Sequence, residues 1–254
     1  MSGFETPMTH DETTIRKAVR DHYAQLAQTR KSTDSCCCPQ SSPPSEAPPE
    51  ASQIYDGCGS PIEAAGIREG EIVVDLGSGG GYDVFRASKL VGQTGCVIGI
   101  DATPEMIWRA RETARKHNFS NVEFRLGEIE HIPLDSDSAD VVVSNCVINL
   151  APDKLPVFRE ALRILKPGGR FVVSDVVAQR GRKIDRSDLK AWAACVAGAL
   201  PESEYQSLIK EAGFTDTQVT KRTPSQDDKS AQSCCSSGID ALILTATKPR
   251  NPNS

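Results

Sequence analysis

The chain has 254 residues, of which 38% are hydrophobic and 25% are charged, and its formal net charge is −5. This length suits one domain, or one domain with a small appendage. The negative charge and the lack of a basic stripe argue against nucleic acid as a partner. No apolar run reaches the roughly 18 residues of a membrane span, and the first residues lack the basic start and apolar core of a secretory signal. We therefore expect no membrane partner and a cytoplasmic location.

Residues 1–51 are predicted to form a helix followed by a linker. Apolar side chains recur on one face of Thr13–Gln28, which is the pattern of an amphipathic helix. The segment 31–52 is rich in Ser and Pro, a composition that cannot build a core and that predicts a mobile linker. This linker contains the run Cys36, Cys37 and Cys38.

From residue 71 onward, short apolar runs alternate with helical patterns. Strands are predicted at 71–77, 95–101, 122–127, 140–146, 170–177, near 216–222, and at 241–248. Helices are predicted at 82–91, at 103–118 with Thr103 as cap and Pro104 in the first helical position, at 154–169 with glycines ending it, and at 202–214. Near-continuous apolar strands between helices predict an α/β fold with a mostly parallel, doubly wound sheet.

Nine cysteines are many for a chain in a reducing compartment. Their odd number disfavours a structural disulfide framework. The spacing Cys-x-x-Cys occurs nowhere and the four histidines form no paired motif, so a zinc ribbon or finger is not expected. Scattered structural cysteines, redox chemistry, and a thiolate site assembled from distant segments all remain open on these grounds.

The sequence VVDLGSGGGYD runs from a predicted strand through glycines into a predicted helix. Glycines allow a ligand to lie against the backbone there, and the helix N-terminus favours negatively charged groups. A dinucleotide fingerprint needs Gly or Ala in its sixth position, where this chain has Tyr82. The turn gains meaning from Asp101, which ends the second strand where a ribose diol would be held.

Four motifs in this order, VVDLGSGGGYD, GIDATPEM, GEIEHIPL and LKPGGRFVVSD, resemble the class I S-adenosylmethionine-dependent methyltransferases. The resemblance implies a Rossmann-like sheet, a cofactor-binding domain at 52–180, and a C-terminal region, 181–254, that completes the substrate site and the sheet. S-Adenosylmethionine is the implied cofactor. The implied cofactor-binding residues are Asp75, Gly77, Ser78, Gly79, Gly81, Asp101, Ala102, Met106, Gly127, Glu128, Ile129 and Asn145.

Three cysteine contexts, YDGCGSPI, SNCVINL and WAACVAGALP, together resemble the arsenite methyltransferases. The resemblance covers roughly residues 52–215 and implies that Cys58, Cys146 and Cys195 are the catalytic cysteines that bind trivalent arsenic, supplied as a thiol adduct. It also implies disulfide formation during turnover and a reductant of the thioredoxin or glutathione type. Cys36, Cys37 and Cys38, and likewise Cys234 and Cys235, are weighed evenly as resolving thiols, as carriers that pass metalloid to the site, or as spectators. The run Cys36–Cys38 is also a candidate participant in the thiol–disulfide exchange.

Other functions remain open at this stage. Nucleic-acid N-methylation loses its main support, because the fourth strand ends in Asn145–Cys146–Val147 and not in an Asn/Asp-Pro-Pro-aromatic motif. A methyltransferase acting on carbon of a quinone-like or sterol-like acceptor predicts an apolar pocket that is indifferent to cysteine mutation. A metalloid-binding or redox-sensing module without turnover predicts arsenite binding but no methyl transfer.

Overall fold

The computed structural model describes residues 10–28, 47–224 and 238–250. The strands are β1 (Ile72–Leu76), β2 (Cys96–Asp101), β3 (Val122–Leu126), β4 (Ala139–Asn145), β5 (Leu165–Ala178), β6 (Thr215–Thr223) and β7 (Ile239–Thr247). The helices are α1 (Glu12–Gln28), α2 (Pro49–Ser52), α3 (Pro61–Ala64), α4 (Tyr82–Val91), α5 (Pro104–Lys116), α6 (Leu155–Ile164), α7 (Leu189–Ala193) and α8 (Glu202–Ala212). A 3-10 turn spans Ile148–Leu150.

The strands form one sheet in the order β3-β2-β1-β4-β5-β7-β6. Strands β1 to β5 are parallel, and β7 runs antiparallel to both β5 and β6. The predicted α/β fold with a mostly parallel, doubly wound sheet is therefore confirmed. The strand order reverses between β1 and β4, and ligands of open α/β sheets bind in the crevice at such a point.

The buried strands carry apolar side chains on both faces, because helices cover both sides of a parallel sheet. Val74 and Leu76 of β1 pack into one apolar cluster, while Val73 of the same strand packs into another. Strand β6 lies at the sheet edge, and most of its residues are polar and exposed. The central strands are thus fixed by packing on two faces, which gives the ends of β1 and β4 a firm base.

The predicted helix at 154–169 ends earlier than expected. Helix α6 stops at Ile164, and β5 begins directly at Leu165, whose φ of −68° and ψ of 139° are extended. Pro167 disfavours a helical conformation at the residue before it. The two glycines then pair with the chain after β7: the Gly168 amide donates to the Lys248 carbonyl at 2.9 Å. They lie within a strand and do not end a helix.

Some elements of the structure were not predicted from the sequence, and some predicted residues lie outside the part of the chain that the structure describes. Helix α2 lies at the end of the predicted linker, and the short helices α3 and α7 were not predicted. Cys36, Cys37, Cys38, Cys234 and Cys235 lie outside the described residues. Within the described ranges, no helix combines the length and apolar character needed to cross a membrane.

Candidate active site

A cavity opens at the carboxyl ends of β1, β2 and β4, at the point where the strand order reverses. Most of the predicted cofactor residues form its wall: Asp75, Gly77, Ser78, Gly79, Asp101, Ala102, Met106, Glu128, Ile129 and Asn145. Gly81 and Gly127 are not part of the described wall. A Cβ at Gly81 would meet the rings of Phe124 and Phe85, and one at Gly127 would meet Pro133, so these two glycines serve close packing.

The glycine turn after β1 needs small residues for two different reasons. Gly77 has a φ of +72°, and a Cβ there would overlap the side chain of Val147 from the β4 end. Gly79 has a φ of +50°, and nothing lies within 4 Å of the position of its Cβ. Gly77 therefore allows the turn to approach the end of β4, whereas Gly79 leaves its side of the wall open to a ligand.

Asp101 ties the end of β2 to the glycine turn. One carboxylate oxygen accepts the Gly79 amide at 2.8 Å, and the other accepts the Thr103 amide at 2.8 Å. Burial raises the pKa of Asp101, and these two hydrogen bonds act against that rise. Thr103 is the residue that caps α5, as predicted, although its side chain makes no capping hydrogen bond.

The wall of the cavity is rich in carboxyl groups. Burial raises the pKa of Asp75 well above its ordinary value, and the charges of Asp83 and Asp101 raise it further. Burial also raises the pKa of Asp83 to about 6. The Ser78 hydroxyl is buried in the same wall without a hydrogen-bond partner among the described residues. A cationic ligand with polar groups would relieve the repulsion and satisfy this hydroxyl, so the residues present fit the ammonium and sulfonium of S-adenosylmethionine.

The three predicted arsenic ligands meet in one buried cluster, although they come from three distant segments. Cys58 and Cys146 form a disulfide with a Cα–Cα distance of 5.9 Å. The Cys195 thiol donates a hydrogen bond to the Cys146 carbonyl at 2.8 Å. Cys146 also belongs to the cavity wall, whereas Cys58 and Cys195 are not among the residues that line it.

Comparison with known proteins gives concordant matches. Residues 67–213 match a family model described as a methyltransferase domain. Arsenite methyltransferases from Halobacterium salinarum and Aquipseudomonas alcaligenes are 46% and 40% identical to the chain, over 67% and 83% of its length. The crystal structure of an arsenic(III) S-adenosylmethionine methyltransferase from Chlamydomonas reinhardtii matches with a TM-score of 0.69 at 36% identity, covering 82% of this chain and 72% of that one.

The chain belongs to the S-adenosylmethionine-dependent arsenite methyltransferase family. It spans 44% and 65% of the lengths of the two curated relatives named above. The family relationship therefore concerns the part of those relatives that this chain spans.

Two of the three cysteines of this family member have an unusual backbone. The φ angle is +55° at Cys146 and +62° at Cys195, in the left-handed region. A residue with a Cβ is less stable there by about 1–2 kcal/mol, and strain of this kind clusters at functional sites. A strained backbone at these two positions is consistent with a function for their sulfur atoms.

Asp175 is a member of the cluster that the sequence reasoning missed. A carboxylate oxygen of Asp175 and the sulfurs of Cys58 and Cys146 lie within 4.8 Å of one another. The carboxylate is fully buried and accepts hydrogen bonds from the side chains of Asn149 and Tyr205, at 2.8 and 3.2 Å. Its only sequence signal is an acid inside the apolar run RFVVSDVV, and that signal does not name its neighbours.

Helix α1 was also missed as part of the site. Arg16, Val19, Arg20 and Tyr23 all contribute to the cavity wall. Arg16 pairs with Glu130 at 2.7 Å and Arg20 with Glu128 at 2.6 Å, which joins the helix to the segment expected to touch adenine. Amphipathicity predicted this helix, but not the surface against which it packs. Tyr55 and Asp83 complete the part of the wall next to Asn145.

Proposed function

We propose that this chain transfers the methyl group of S-adenosylmethionine to trivalent arsenic held by Cys58, Cys146 and Cys195. One observation carries the proposal: the three cysteines share one buried cluster, and Cys146 belongs both to that cluster and to the wall of the cofactor cavity. An acceptor atom on these sulfurs therefore lies next to the cavity. Soft thiolates suit a soft, thiophilic acceptor of this kind.

The geometry supports a separate role for each group of residues. Bound S-adenosylmethionine supplies an electrophilic methyl group on a sulfonium. The glycine turn and Asp101 place the cofactor, and the carboxyl groups of Asp75 and Asp83 favour its positive charges. The cysteines hold arsenic as a neutral tris-thiolate whose lone pair points away from the sulfurs. Alignment of acceptor and methyl group supplies most of the acceleration, so little acid–base work is needed.

The Cys58–Cys146 disulfide corresponds to an oxidised form of the proposed site. Two thiols of a glutathione-type or thioredoxin-type reductant give two cysteine thiols and one reductant disulfide, which restores the ligand set. The proposal includes this reductant as a partner. Cys36, Cys37 and Cys38 remain candidate resolving thiols.

The test is an assay with arsenite, labelled cofactor and a thiol, followed by separation of the methylated arsenic species. Cys146→Ser is expected to lose at least 100-fold in arsenic methylation while cofactor binding, measured by calorimetry, stays within twofold. Cys96→Ser is the matched control, because Cys96 lies at the start of β2, at the opposite end of the sheet. Full activity of Cys146→Ser would contradict the three-thiolate site. Methylation of a carbon acceptor by both variants would support the quinone- or sterol-type alternative instead.

A further inference from the structure

Cys58 lies on the loop Tyr55–Gly59, which side-chain hydrogen bonds attach to the end of β4. The Cys58 amide donates to Oδ1 of Asn145 at 3.1 Å, although 87 residues separate the two in sequence. The Asn145 Nδ2 donates to the Gly59 carbonyl at 2.9 Å and to the Tyr55 hydroxyl at 2.8 Å. The Tyr55 hydroxyl in turn donates to the Gly59 carbonyl at 2.6 Å. One amide side chain therefore grips this loop on both sides of the cysteine.

The orientation of Asn145 is itself fixed from behind. Its Nδ2 also lies 2.9 Å from a carboxylate oxygen of Asp83. Asp83 pairs with Arg86 at 3.4 Å, and Arg86, also buried, pairs with Glu63. Three acceptors thus surround an NH₂ group that has two hydrogens, which leaves it no donor to spare for another partner.

We propose that Asn145 is a positioning residue that holds the sulfur of Cys58 within bonding reach of Cys146. The assignment rests on the proposed function only in that Cys58 is one of the arsenic ligands. Cys146 follows Asn145 directly, and its own amide donates to the Ser174 carbonyl at 2.8 Å, so its position depends on the sheet. The Cys58 amide is held by a side chain instead, that of Asn145 at the end of β4. The sulfur of Cys58 lies 3.7 Å from the Ser174 hydroxyl, beside the disulfide.

Asn145 was expected to contact the cofactor, and it does belong to the cavity wall. Its hydrogen-bonding groups nonetheless point to the loop and to Asp83. The proposal therefore predicts that Asn145 acts on the thiol pair even when no cofactor and no arsenic are present. A residue that served only cofactor binding would leave the thiol pair unchanged under those conditions.

The test measures how readily Cys58 and Cys146 form their disulfide in a glutathione redox buffer. In this equilibrium, two protein thiols and one glutathione disulfide give the protein disulfide and two molecules of glutathione. Alkylation and mass spectrometry of the full chain give the equilibrium constant. We expect Asn145→Ala to lower this equilibrium constant at least 10-fold. Tyr55→Phe removes the hydroxyl that links Asn145 to the loop, and we expect it to lower the constant about threefold.

Asn121→Ala is the matched control. The Asn121 amide also bridges two carbonyls, those of Ser88 and Gly92, both at 2.8 Å, but it lies away from the cluster, just before β3. We expect its disulfide constant to equal that of the unsubstituted chain. The alkylation rate of Cys96 reports in each variant whether the sheet is folded.

An Asn145→Ala chain that folds and keeps its disulfide constant within twofold would overturn the proposal, as would equal losses in Asn145→Ala and Asn121→Ala. If Asn145→Ala does not fold, Tyr55→Phe decides the matter by the same twofold limit. Because neither arsenic nor cofactor is used, failure of the chain to methylate arsenite would leave this result standing.

Discussion

Reduction of the Cys58–Cys146 disulfide is expected to cost the folded chain much of its stability. The bond closes a loop with a sequence separation of 88 residues. The chain-entropy relation for a loop of that size gives about 4.6 kcal/mol at 25 °C, and measured disulfides commonly contribute about 2–4 kcal/mol. We therefore expect a loss of about 3–5 kcal/mol. With a urea m-value of about 3 kcal/mol/M, the unfolding midpoint should fall by about 1–1.7 M.

The assay is equilibrium urea unfolding followed by circular dichroism, with and without a phosphine reductant. The double variant Cys58→Ser/Cys146→Ser should resemble the reduced chain and should not respond to the reductant. Cys195→Ser should respond as the unsubstituted chain does, since Cys195 is outside the disulfide. A loss smaller than about 1 kcal/mol on reduction would refute the reasoning, because it would mean that the 88-residue loop is already constrained without the bond.

Two further predictions concern buried groups of the same cluster. At a buried site, Gly is normally less stable than Ala by ~1.5–2 kcal/mol, but at Cys195, where φ is +62°, Gly also relieves the left-handed strain. We therefore expect the free energies of unfolding of Cys195→Gly and Cys195→Ala to agree within about 0.5 kcal/mol. If Cys195→Gly were less stable by more than about 1.5 kcal/mol, the backbone at this position would not be strained. Burial raises the pKa of Asp175 to about 6, from 3.8, so the folded state binds the extra proton and stability rises as the pH falls from 7 to 5, by about 1 kcal/mol. Burial also raises the pKa of Asp83 to about 6, which adds a rise of its own. In urea unfolding, Asp175→Asn should therefore gain about 1 kcal/mol less than the unsubstituted chain between the two pH values. An equal gain in both chains would exclude Asp175 as a source.

The sequence was sufficient for features that depend on local pattern or on strand polarity. Apolar runs predicted the strands, and parallel polarity brings their carboxyl ends to one edge of the sheet. Asp101 and Asn145 therefore lie in one cavity wall, although 44 residues apart (145 − 101). The predicted end of α6 was wrong, because it was placed at the two glycines. Pro167 already disfavours a helical conformation at the residue that precedes it, so the helix ends before the glycines.

Contacts between distant side chains could not be obtained in this way. The sequence YDGCG does not predict that Asn145 binds the backbone of this loop. The apolar face of α1 likewise does not predict that the helix packs against α5 and α7. The sequence also does not predict the left-handed backbone at Cys146 and Cys195, because cysteine has no turn preference that would indicate it. These features arise from packing between elements, which no local window contains.

The depth of the three sulfurs constrains how arsenic can reach them. Cys58 retains 8% of its exposure, Cys146 3% and Cys195 2%. An arsenic(III) thiol adduct of the kind proposed above is too bulky to meet three sulfurs this deeply buried in one step. We expect its thiol ligands to be exchanged one sulfur at a time, starting at Cys58, which is the most exposed of the three cysteines. The hydrogen bonds between Asn145 and the Tyr55–Gly59 loop therefore affect two steps in opposite directions. They hold Cys58 in place for arsenic binding, and they limit the access of an incoming arsenic compound to its sulfur.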